Sequence, residues 1–349
     1  MRRSGRARHA ARRHRDLRAD RCRGAKPLTG RPGRREQMTA TIGFVGLGTM
    51  GLPMASNLSR AGFAVRGYDL SPEARKAFAE VGGVAASSAA EATKGAAFVI
   101  TMLPTAAHID AALFEAGGIA EAIGPEAILV NMSTILPEET DRLAARLSGF
   151  SIAMIDAPVG RSALEAARGA LLILASGEKR ALEAARPLFE VMGNQTIDCG
   201  ALGNGSRVKV INNFMGVSLN ALTAEALTLA EASGLDIRLA LEVMRGTIAG
   251  IGHMRVTYPN KVLKGDLSAG FPVDLAHKDL GLALQLAARV NAPVFMGGAA
   301  AQIYSIVRAD GRGRQDYTAV YPVLRTLAGL PDTIPYDPSA DDEYNPFNA

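Results

Sequence analysis

The stretch that decides the fold is TIGFVGLGTMG, residues 41–51. It begins with a short apolar run, Ile42 to Val45, which has the length and composition of a buried strand. From Met50 to Arg60 the apolar residues recur at helical spacing. A G-x-G-x-x-G motif that follows a strand and opens a helix has the context in which such glycines bind a dinucleotide. The stretch therefore predicts a strand, a tight phosphate-binding turn and a helix.

Each glycine of the motif has a separate task. Gly46 permits the tight turn, Gly48 lets a pyrophosphate approach the backbone, and Gly51 lets the helix pack closely on the strand. The phosphates would then lie at the positive end of the helix. The cofactor contacts predicted from this loop are Gly46, Leu47, Gly48, Thr49, Met50 and Gly51.

An acidic residue is expected about twenty residues after the motif, and Asp69 follows the second predicted strand, Ala64 to Tyr68. A carboxylate at this point accepts hydrogen bonds from both ribose hydroxyls and repels a 2′-phosphate. No arginine occupies the next positions, so the sequence predicts NAD as the cofactor, with NADH preferred over NADPH. The alternative is that Asp69 only caps the following turn, because Asp and Ser before Pro are ordinary turn residues.

Short apolar runs alternate with helical stretches as far as about residue 200, and only helical patterns follow. The alternation predicts βαβ units and a mainly parallel, doubly wound sheet. The predicted fold class is an α/β Rossmann domain followed by an all-α C-terminal domain, joined by a long interdomain helix from Ser206 to Ala232. Further strands are predicted at Ala97–Met102, Ile128–Asn131, Ile152–Ile155, Leu171–Ala175 and Thr196–Cys199, and further helices at Ile237–Arg245, Leu275–Val290, Gly298–Ala309 and Thr318–Leu327.

The predicted segments are a leader at 1–38, a dinucleotide-binding domain at 39–203, an all-α domain at 204–330 and an acidic tail at 331–349. Residues 1–37 hold thirteen arginines and one lysine against three acidic residues, with almost no large apolar side chains. Such a segment cannot bury enough surface to offset its ordering entropy, so disorder is expected. A start-site extension is favoured because Met38 stands just before the first strand. A nucleic-acid-binding arm and a transit peptide are the alternatives.

The distribution of charge excludes one broad class of protein. The formal net charge is +5, but residues 1–37 carry +11 and the rest of the chain carries −6. A globular body that binds nucleic acid through a basic surface is therefore excluded. The two cysteines, Cys22 and Cys199, cannot form a disulfide framework and favour a reducing compartment such as the cytoplasm. No metal site and no transmembrane helix are expected.

Several motifs follow the glycine turn in order, and together they span residues 41–328. They make the sequence resemble the β-hydroxyacid dehydrogenase (3-hydroxyisobutyrate dehydrogenase-like) family. The resemblance implies an NAD-dependent oxidoreductase that interconverts an alcohol and an aldehyde. It also implies cofactor contacts from Leu103, Pro104, Thr134 and Lys278, with a surface ion pair to Asp279 as the alternative for Lys278. The motifs are Met102-Leu103-Pro104, Ser133-Thr134, Asp156-Ala157-Pro158-Val159, Gly205-Ser206-Arg207-Val208-Lys209-Val210-Ile211-Asn212-Asn213 and His277-Lys278-Asp279-Leu280.

In that family the lysine of the G-x-x-x-K-x-x-N-N segment is the catalytic acid/base, and the resemblance gives this role to Lys209. Hydride adds to a carbonyl carbon while negative charge grows on its oxygen. An ammonium beside that oxygen stabilises the charge and supplies the proton. Asn213 lies four residues later, so its side chain shares a helix face with that of Lys209. The alternative is a solvated surface lysine. It is disfavoured by the adjacent Asn212 and Asn213, which are poor helix formers in an apolar stretch.

The turn after Val159 departs from most of the family, because Gly160-Arg161-Ser162 stands where Ser-Gly-Gly is usual. Arginine is a permanently charged fork suited to oxyanions, so an anionic group on the substrate is implied. An ion pair between Arg161 and Glu165 is the alternative. This variant resembles the branch of the family that reduces 3-sulfolactaldehyde to 2,3-dihydroxypropane-1-sulfonate with NADH in sulfoquinovose breakdown. That resemblance implies that Arg161 and Asn212 hold the sulfonate.

Two other hypotheses stay open beside that substrate. One keeps the chemistry but takes a carboxylate substrate, either a β-hydroxyacid such as 3-hydroxyisobutyrate or the succinic semialdehyde/4-hydroxybutyrate pair. The other is a dinucleotide-binding module without catalysis. The expected partners are a small anionic aldehyde or alcohol and further copies of the chain, in a homodimer or homotetramer. No nucleic acid or membrane partner is expected. The remaining substrate contacts implied are Ser133, Gly160, Asn213 and Gly216.

Overall fold

The computed structural model describes residues 40–336. The predicted leader, with Cys22, and most of the predicted tail lie outside the described residues. The chain divides into two compact units, with the boundary between Ile211 and Asn212. No helix in the described part is long and apolar enough to cross a membrane.

The first unit is built on a six-stranded sheet in which every pair is parallel. Its strands are β1 (Thr41–Val45), β2 (Ala64–Tyr68), β3 (Val84–Ala85), β4 (Phe98–Thr101), β5 (Ile128–Asn131) and β6 (Ala153–Asp156). They lie in the order β3-β2-β1-β4-β5-β6. The direction of winding therefore reverses between β1 and β4, and ligands bind at the carboxyl ends of the strands beside such a switch point. This order confirms the predicted doubly wound sheet.

Helices cover both faces of this sheet, which is why its central strands are apolar throughout rather than alternating. Met54 and Phe78 belong to a buried cluster on one side, and Ile109 and Leu143 belong to a second buried cluster. The helices are α1 (Gly51–Arg60), α2 (Pro72–Glu80), α3 (Ala89–Thr93), α4 (Ala106–Phe114), α5 (Ile119–Ala122) and α6 (Pro137–Ser148).

A second sheet of three strands completes the first unit, and the sequence did not predict it as separate. It consists of β7 (Val159–Gly160), β8 (Leu171–Ala175) and β9 (Gly193–Asp198), with α7 (Ala163–Ala167) and α8 (Lys179–Met192) between them. β7 runs antiparallel to β8, and β8 runs parallel to β9. The short β7 brings the chain to Arg161 directly at the end of a paired strand.

The second unit is helical, as predicted. Its helices are α10 (Ile237–Arg245), α11 (Ile248–Ile251), α12 (Thr257–Asn260), α13 (Val273–Arg289), α14 (Phe295–Ala309) and α15 (Val320–Leu327), with two 3₁₀ turns at Val262–Lys264 and Tyr317–Ala319. The long predicted helix is present as α9 (Asn204–Ala232), which runs through the boundary between the units.

The second unit leaves large apolar side chains in contact with solvent. Phe214, Val217 and Phe295 have exposed fractions of 71%, 70% and 82%. Its buried apolar cluster is small by comparison, with four buried members among the described residues. Exposed apolar surface of this kind is typical of a contact between chains. The homodimer or homotetramer expected from the sequence stays a prediction.

Candidate active site

The glycine turn after β1 has the geometry that its sequence predicts. Gly46 has a φ of +101°, and a Cβ there would lie 2.2 Å from the carbonyl oxygen of Met102. A Cβ on Gly51 would lie 1.8 Å from the carbonyl oxygen of Gly46. Beside Gly48, by contrast, no atom of the described chain other than those of Gly48 and its two neighbours lies within 4 Å of the Cβ position. Two glycines are therefore required by close approach, and the third leaves open space where a pyrophosphate would pass.

Helix α1 begins directly after this turn, and its start suits an anion. In the part of the chain described, no side chain caps the helix and its first turn holds no acidic residue. The first N–H groups of a helix lack partners within the helix, and its N-terminus carries a partial positive charge. The residues present therefore fit the phosphates of a dinucleotide.

Asp69 lies at the end of β2 and ties two backbone segments together. Its Oδ2 accepts a hydrogen bond of 2.7 Å from the N–H of Leu47, and its Oδ1 accepts one of 2.8 Å from the N–H of Ser71. The turn-capping alternative is thus part of its role. Each carboxylate oxygen has a further lone pair, so ribose hydroxyls can still donate to it. The contact with ribose stays a prediction.

Arg75 is a candidate functional residue that the sequence reasoning missed. Its Nη1 donates to the carbonyl oxygens of Asp69 and Leu70, at 2.5 and 3.2 Å. Its guanidinium carbon lies 5.6 Å from the centre of the Tyr68 ring. Arg75 lies in the first turns of α2, and the turn that precedes the helix brings it back beside Asp69. The signal in the sequence is an arginine at the start of the helix that follows Asp69, which places a cation next to the predicted ribose site.

The loops that follow β4 and β5 are joined by a buried hydrogen-bonded network. The hydroxyl of Ser133 accepts from the N–H of Leu103 at 2.8 Å and lies 3.4 Å from the carbonyl oxygen of Thr101. The Oδ1 of Asn131 accepts from the hydroxyl of Thr101 at 3.1 Å and from the N–H of Ser133 at 3.2 Å. The Ser133 hydroxyl therefore fixes the loop that carries Leu103. Its predicted contact with substrate stays a prediction.

The other predicted cofactor contacts are spread over both units. Leu103 is half-buried, whereas Pro104 and Thr134 are exposed on their loops. Lys278 lies on α13 in the second unit, where its Nζ is 2.9 Å from a carboxylate oxygen of Asp279. The surface ion pair considered as an alternative is therefore present, and the cofactor contact stays a prediction. The described residues hold no group of three His, Cys, Asp or Glu side chains placed to bind a metal.

Arg161 adopts an unusual backbone conformation. Its φ is +77°, in the left-handed region that favours glycine. Its Nη1 donates to the carbonyl oxygen of Ala170 at 2.5 Å and to the side chain of Asn194, and its Nη2 lies 3.4 Å from Oε1 of Gln195. Glu165, the alternative partner, instead caps the start of α7. These three partners are neutral, so an anion can still neutralise the exposed guanidinium.

Lys209 lies in the second turn of α9 and is half-buried. Burial lowers the pKa of its ammonium below the ordinary value for lysine, because desolvation disfavours the charged form. Asn212 and Asn213 follow on the same helix beyond the boundary between the units, with Asn212 exposed and Asn213 half-buried. At Gly216 the space around the Cβ position is open: among the described residues, nothing outside the adjoining helix backbone lies within 4 Å.

Two protein-family models match the chain, one after the other. The family model described as the NAD binding domain of 6-phosphogluconate dehydrogenase matches residues 41–202. The model described as NAD-binding of NADP-dependent 3-hydroxyisobutyrate dehydrogenase matches residues 203–324.

Individual relatives are similar over nearly their whole length. The chain is 45% identical to 3-sulfolactaldehyde reductase of Escherichia coli (strain K12), with 83% of this chain and 98% of that protein covered. It is 36% identical to NAD-dependent L-serine dehydrogenase of Pseudomonas aeruginosa, with 82% and 99% covered. A solved structure of Mycobacterium tuberculosis 3-hydroxyisobutyrate dehydrogenase with L-serine has 34% identity and a TM-score of 0.56, with 82% and 99% covered.

Proposed function

The chain belongs to the β-hydroxyacid dehydrogenase (3-hydroxyisobutyrate dehydrogenase-like) family, and from this premise we propose that it reduces 3-sulfolactaldehyde to 2,3-dihydroxypropane-1-sulfonate with NADH. Its relatives include a 3-sulfolactaldehyde reductase, an NAD-dependent L-serine dehydrogenase and a 3-hydroxyisobutyrate dehydrogenase. The predicted enzyme class, an NAD-dependent oxidoreductase, is therefore confirmed, and a module without catalysis is not the function. The substrate and the preference for NADH are the proposal.

In this proposal the two predicted domains have separate tasks. Residues 39–203 bind the dinucleotide, whose phosphates would lie at the start of α1, and residues 204–330 supply Lys209 and the two asparagines. NADH, when bound, supplies a hydride to the carbonyl carbon. Lys209 donates a proton to the carbonyl oxygen, and Asn213, four residues later on the same helix, orients the lysine or the substrate. Arg161 and Asn212 hold the sulfonate, with Ser133, Gly160 and Gly216 around it.

One observation carries the proposed substrate: Arg161 is a permanent cation with only neutral partners in the part of the chain described. It occupies a backbone conformation that a glycine would adopt more easily. Arginine at this position strains the backbone but places a positive charge at the turn. The 45% identity to a 3-sulfolactaldehyde reductase supports a sulfonate as the matching anion.

A carboxylate substrate is the second candidate, because the arginine fork binds a carboxylate in a bidentate geometry. The similarity to a dehydrogenase named for L-serine favours it as well. The deciding assay follows NADH oxidation with racemic 3-sulfolactaldehyde and with succinic semialdehyde, using the chain that starts at Met38. We expect kcat/KM to be higher for the sulfonate. A higher kcat/KM for the carboxylate would contradict the proposed substrate while leaving the oxidoreductase class in place.

The preference for NADH predicts a specific effect of Asp69→Ala. The change removes the acceptors for the ribose hydroxyls and the charge that repels a 2′-phosphate, and it leaves the Arg75 guanidinium nearby. Hydrogen bonds to a charged group contribute about 1.5–3 kcal/mol each, so the ratio of kcat/KM for NADH over NADPH should fall about 100-fold. Steady-state rates with both cofactors give this ratio.

The matched control adds Arg75→Met to Asp69→Ala. If Arg75 is the cation that binds the 2′-phosphate, kcat/KM for NADPH rises in Asp69→Ala, and the double variant loses this gain in NADPH activity. That gain also shows that the Asp69→Ala protein is folded. An unchanged ratio in the single variant would mean that Asp69 only caps its turn.

A further inference from the structure

The start of helix α9 is held by a buried polar cluster that no step of the proposed reaction uses. The cluster consists of Asp156 at the end of β6, Ser176 just after β8, Thr140 on α6 and Ser206 in the first turn of α9, and we call it the helix anchor. All four residues are fully buried. Asp156 lies in one of the motifs that carry the family resemblance, but nothing in the sequence alone explains a carboxylate at this position.

The hydrogen bonds of the helix anchor converge on the carboxylate of Asp156. Its Oδ2 accepts from the N–H of Ser206 at 2.7 Å, and its Oδ1 accepts from the hydroxyl of Ser206, also at 2.7 Å. The hydroxyl of Ser176 lies 3.2 Å from Oδ2 and accepts from the N–H of Gly205 at 3.0 Å. The hydroxyls of Thr140 and Ser206 lie 3.3 Å apart. The first turn of α9 is thereby tied to two strand ends and to a neighbouring helix.

Close packing removes the remaining freedom of this helix start. A Cβ on Gly205 would lie 2.3 Å from the carbonyl oxygen of Leu174 and 3.0 Å from that of Asp156. The helix backbone therefore touches the strand ends directly at this residue. A slide along the axis or a rotation of the first turn would break the contacts of Ser206 or press Gly205 into β8.

Lys209 stands three residues after Ser206, which is almost one helical turn. Residues at this spacing lie on neighbouring positions of one helix face. Whatever fixes Ser206 along and around the axis therefore also fixes the Cα of Lys209. The helix anchor lies entirely in the first unit, as does Lys209.

A buried carboxylate is a costly way to satisfy the N–H groups at the start of a helix. Burial outweighs its hydrogen bonds, and the pKa of Asp156 is raised. A serine that is not fully buried caps other helices of this chain, as the half-buried Ser71 does for α2 and the exposed Ser88 does for α3. Those caps satisfy a helix end without burying a charge. Asp156 gives in addition a two-point contact with a single residue, and such a contact defines orientation as well as stability.

We propose that Asp156 is a positioning residue for the reaction: through Ser206 it sets the position and rotation of the α9 turn that carries Lys209. This inference rests on the proposed role of Lys209 as the proton donor. A misplacement of a reacting group by about 1 Å can lower the rate about 100-fold. Loss of the helix anchor should therefore lower kcat while leaving the dinucleotide site intact.

The test compares Asp156→Asn and Ser206→Ala with the unchanged full chain. Asp156→Asn keeps the shape but places an NH₂ group against a donor, and Ser206→Ala removes the hydroxyl donor alone. We expect kcat per NADH-binding site to fall about 100-fold for Asp156→Asn and by a smaller factor for Ser206→Ala. The Kd for NADH should stay within about twofold. Counting NADH-binding sites by fluorescence titration removes the effect of unfolded protein from kcat.

Thr93→Val is the matched control. Thr93 is equally buried and donates to the carbonyl oxygen of Ala89 within α3. If its kcat per site stays normal at a similar loss of melting temperature, loss of stability does not explain the anchor variants. Normal kcat per site in Asp156→Asn and Ser206→Ala would overturn the inference. Activity that survives in Lys209→Ala would instead overturn the proposed function, so the two failures are distinguishable.

Discussion

Replacing Lys209 with alanine should reduce kcat for aldehyde reduction by about 10³-fold or more, because it removes both the proton donor and the charge that stabilises the forming alkoxide. The side chain is half-buried on a helix that is fixed at its start by the helix anchor. NADH binding should persist, since the glycine turn and Asp69 belong to other elements. Single-turnover rates and NADH titration separate the two effects.

The same prediction has a pH dependence with a defined sign. Burial lowers the pKa of Lys209, and reduction needs its protonated form. The reduction rate of the unchanged protein should therefore fall as the pH rises through this lowered pKa, and the rate of alcohol oxidation should rise over the same range. Lys209→Ala should lose this dependence in both directions. Lys76→Ala, an exposed lysine paired with Glu80 on α2, is the control and should keep the full profile.

A near-normal rate in Lys209→Ala would remove the assigned proton donor. The family membership would stand, because it rests on both units, but another group would have to protonate the product.

Replacing Arg161 with glycine should raise KM for 3-sulfolactaldehyde about 100-fold and leave kcat/KM for glyceraldehyde within a few-fold. Glyceraldehyde carries a neutral hydroxyl in place of the sulfonate, so it never uses the guanidinium. Loss of charge-assisted hydrogen bonds worth about 1.5–3 kcal/mol each gives an effect of this size. Glycine is the informative replacement because the φ of +77° suits it.

The controls for this change test charge and backbone separately. Arg161→Lys keeps a positive charge but loses the planar fork. Its KM for the sulfonate should therefore lie between that of the unchanged protein and that of Arg161→Gly. The melting temperature of Arg161→Gly should change little, since the relief of backbone strain offsets the loss of the exposed hydrogen bonds of the guanidinium. Equal losses on the sulfonate and the neutral aldehyde would show that Arg161 supports the turn and does not bind the anion.

The fold could be read from the sequence where local patterns have a single structural meaning. The glycine turn, Asp69 after β2 and the uninterrupted pattern of α9 each depend on residues close together in the chain. Parallel strands at regular spacing then leave few topologies. The departure of β8 and β9 into a second sheet was not predictable in this way, because the alternation of strand and helix continues through it unchanged.

The candidate site was predictable only in part, for a related physical reason. Arg75 was missed because its contact with Asp69 depends on how a turn leads into α2. The partners of Arg161 on β9 lie more than thirty residues away in sequence, and Asp156 meets Ser206 across fifty. Such contacts follow from tertiary packing. The left-handed backbone of Arg161 was also invisible, since arginine itself does not favour that conformation.

The left-handed conformation at Arg161 bears on how substrate choice can change over generations. A glycine codon of the form GGN becomes an arginine codon, CGN, by a change of its first base alone. A turn already folded for glycine can therefore receive a guanidinium without a new loop, an insertion or a shift of register. Under the proposed role of Arg161, a single base at such a position separates two substrate preferences, and a change back from arginine to glycine also needs one base.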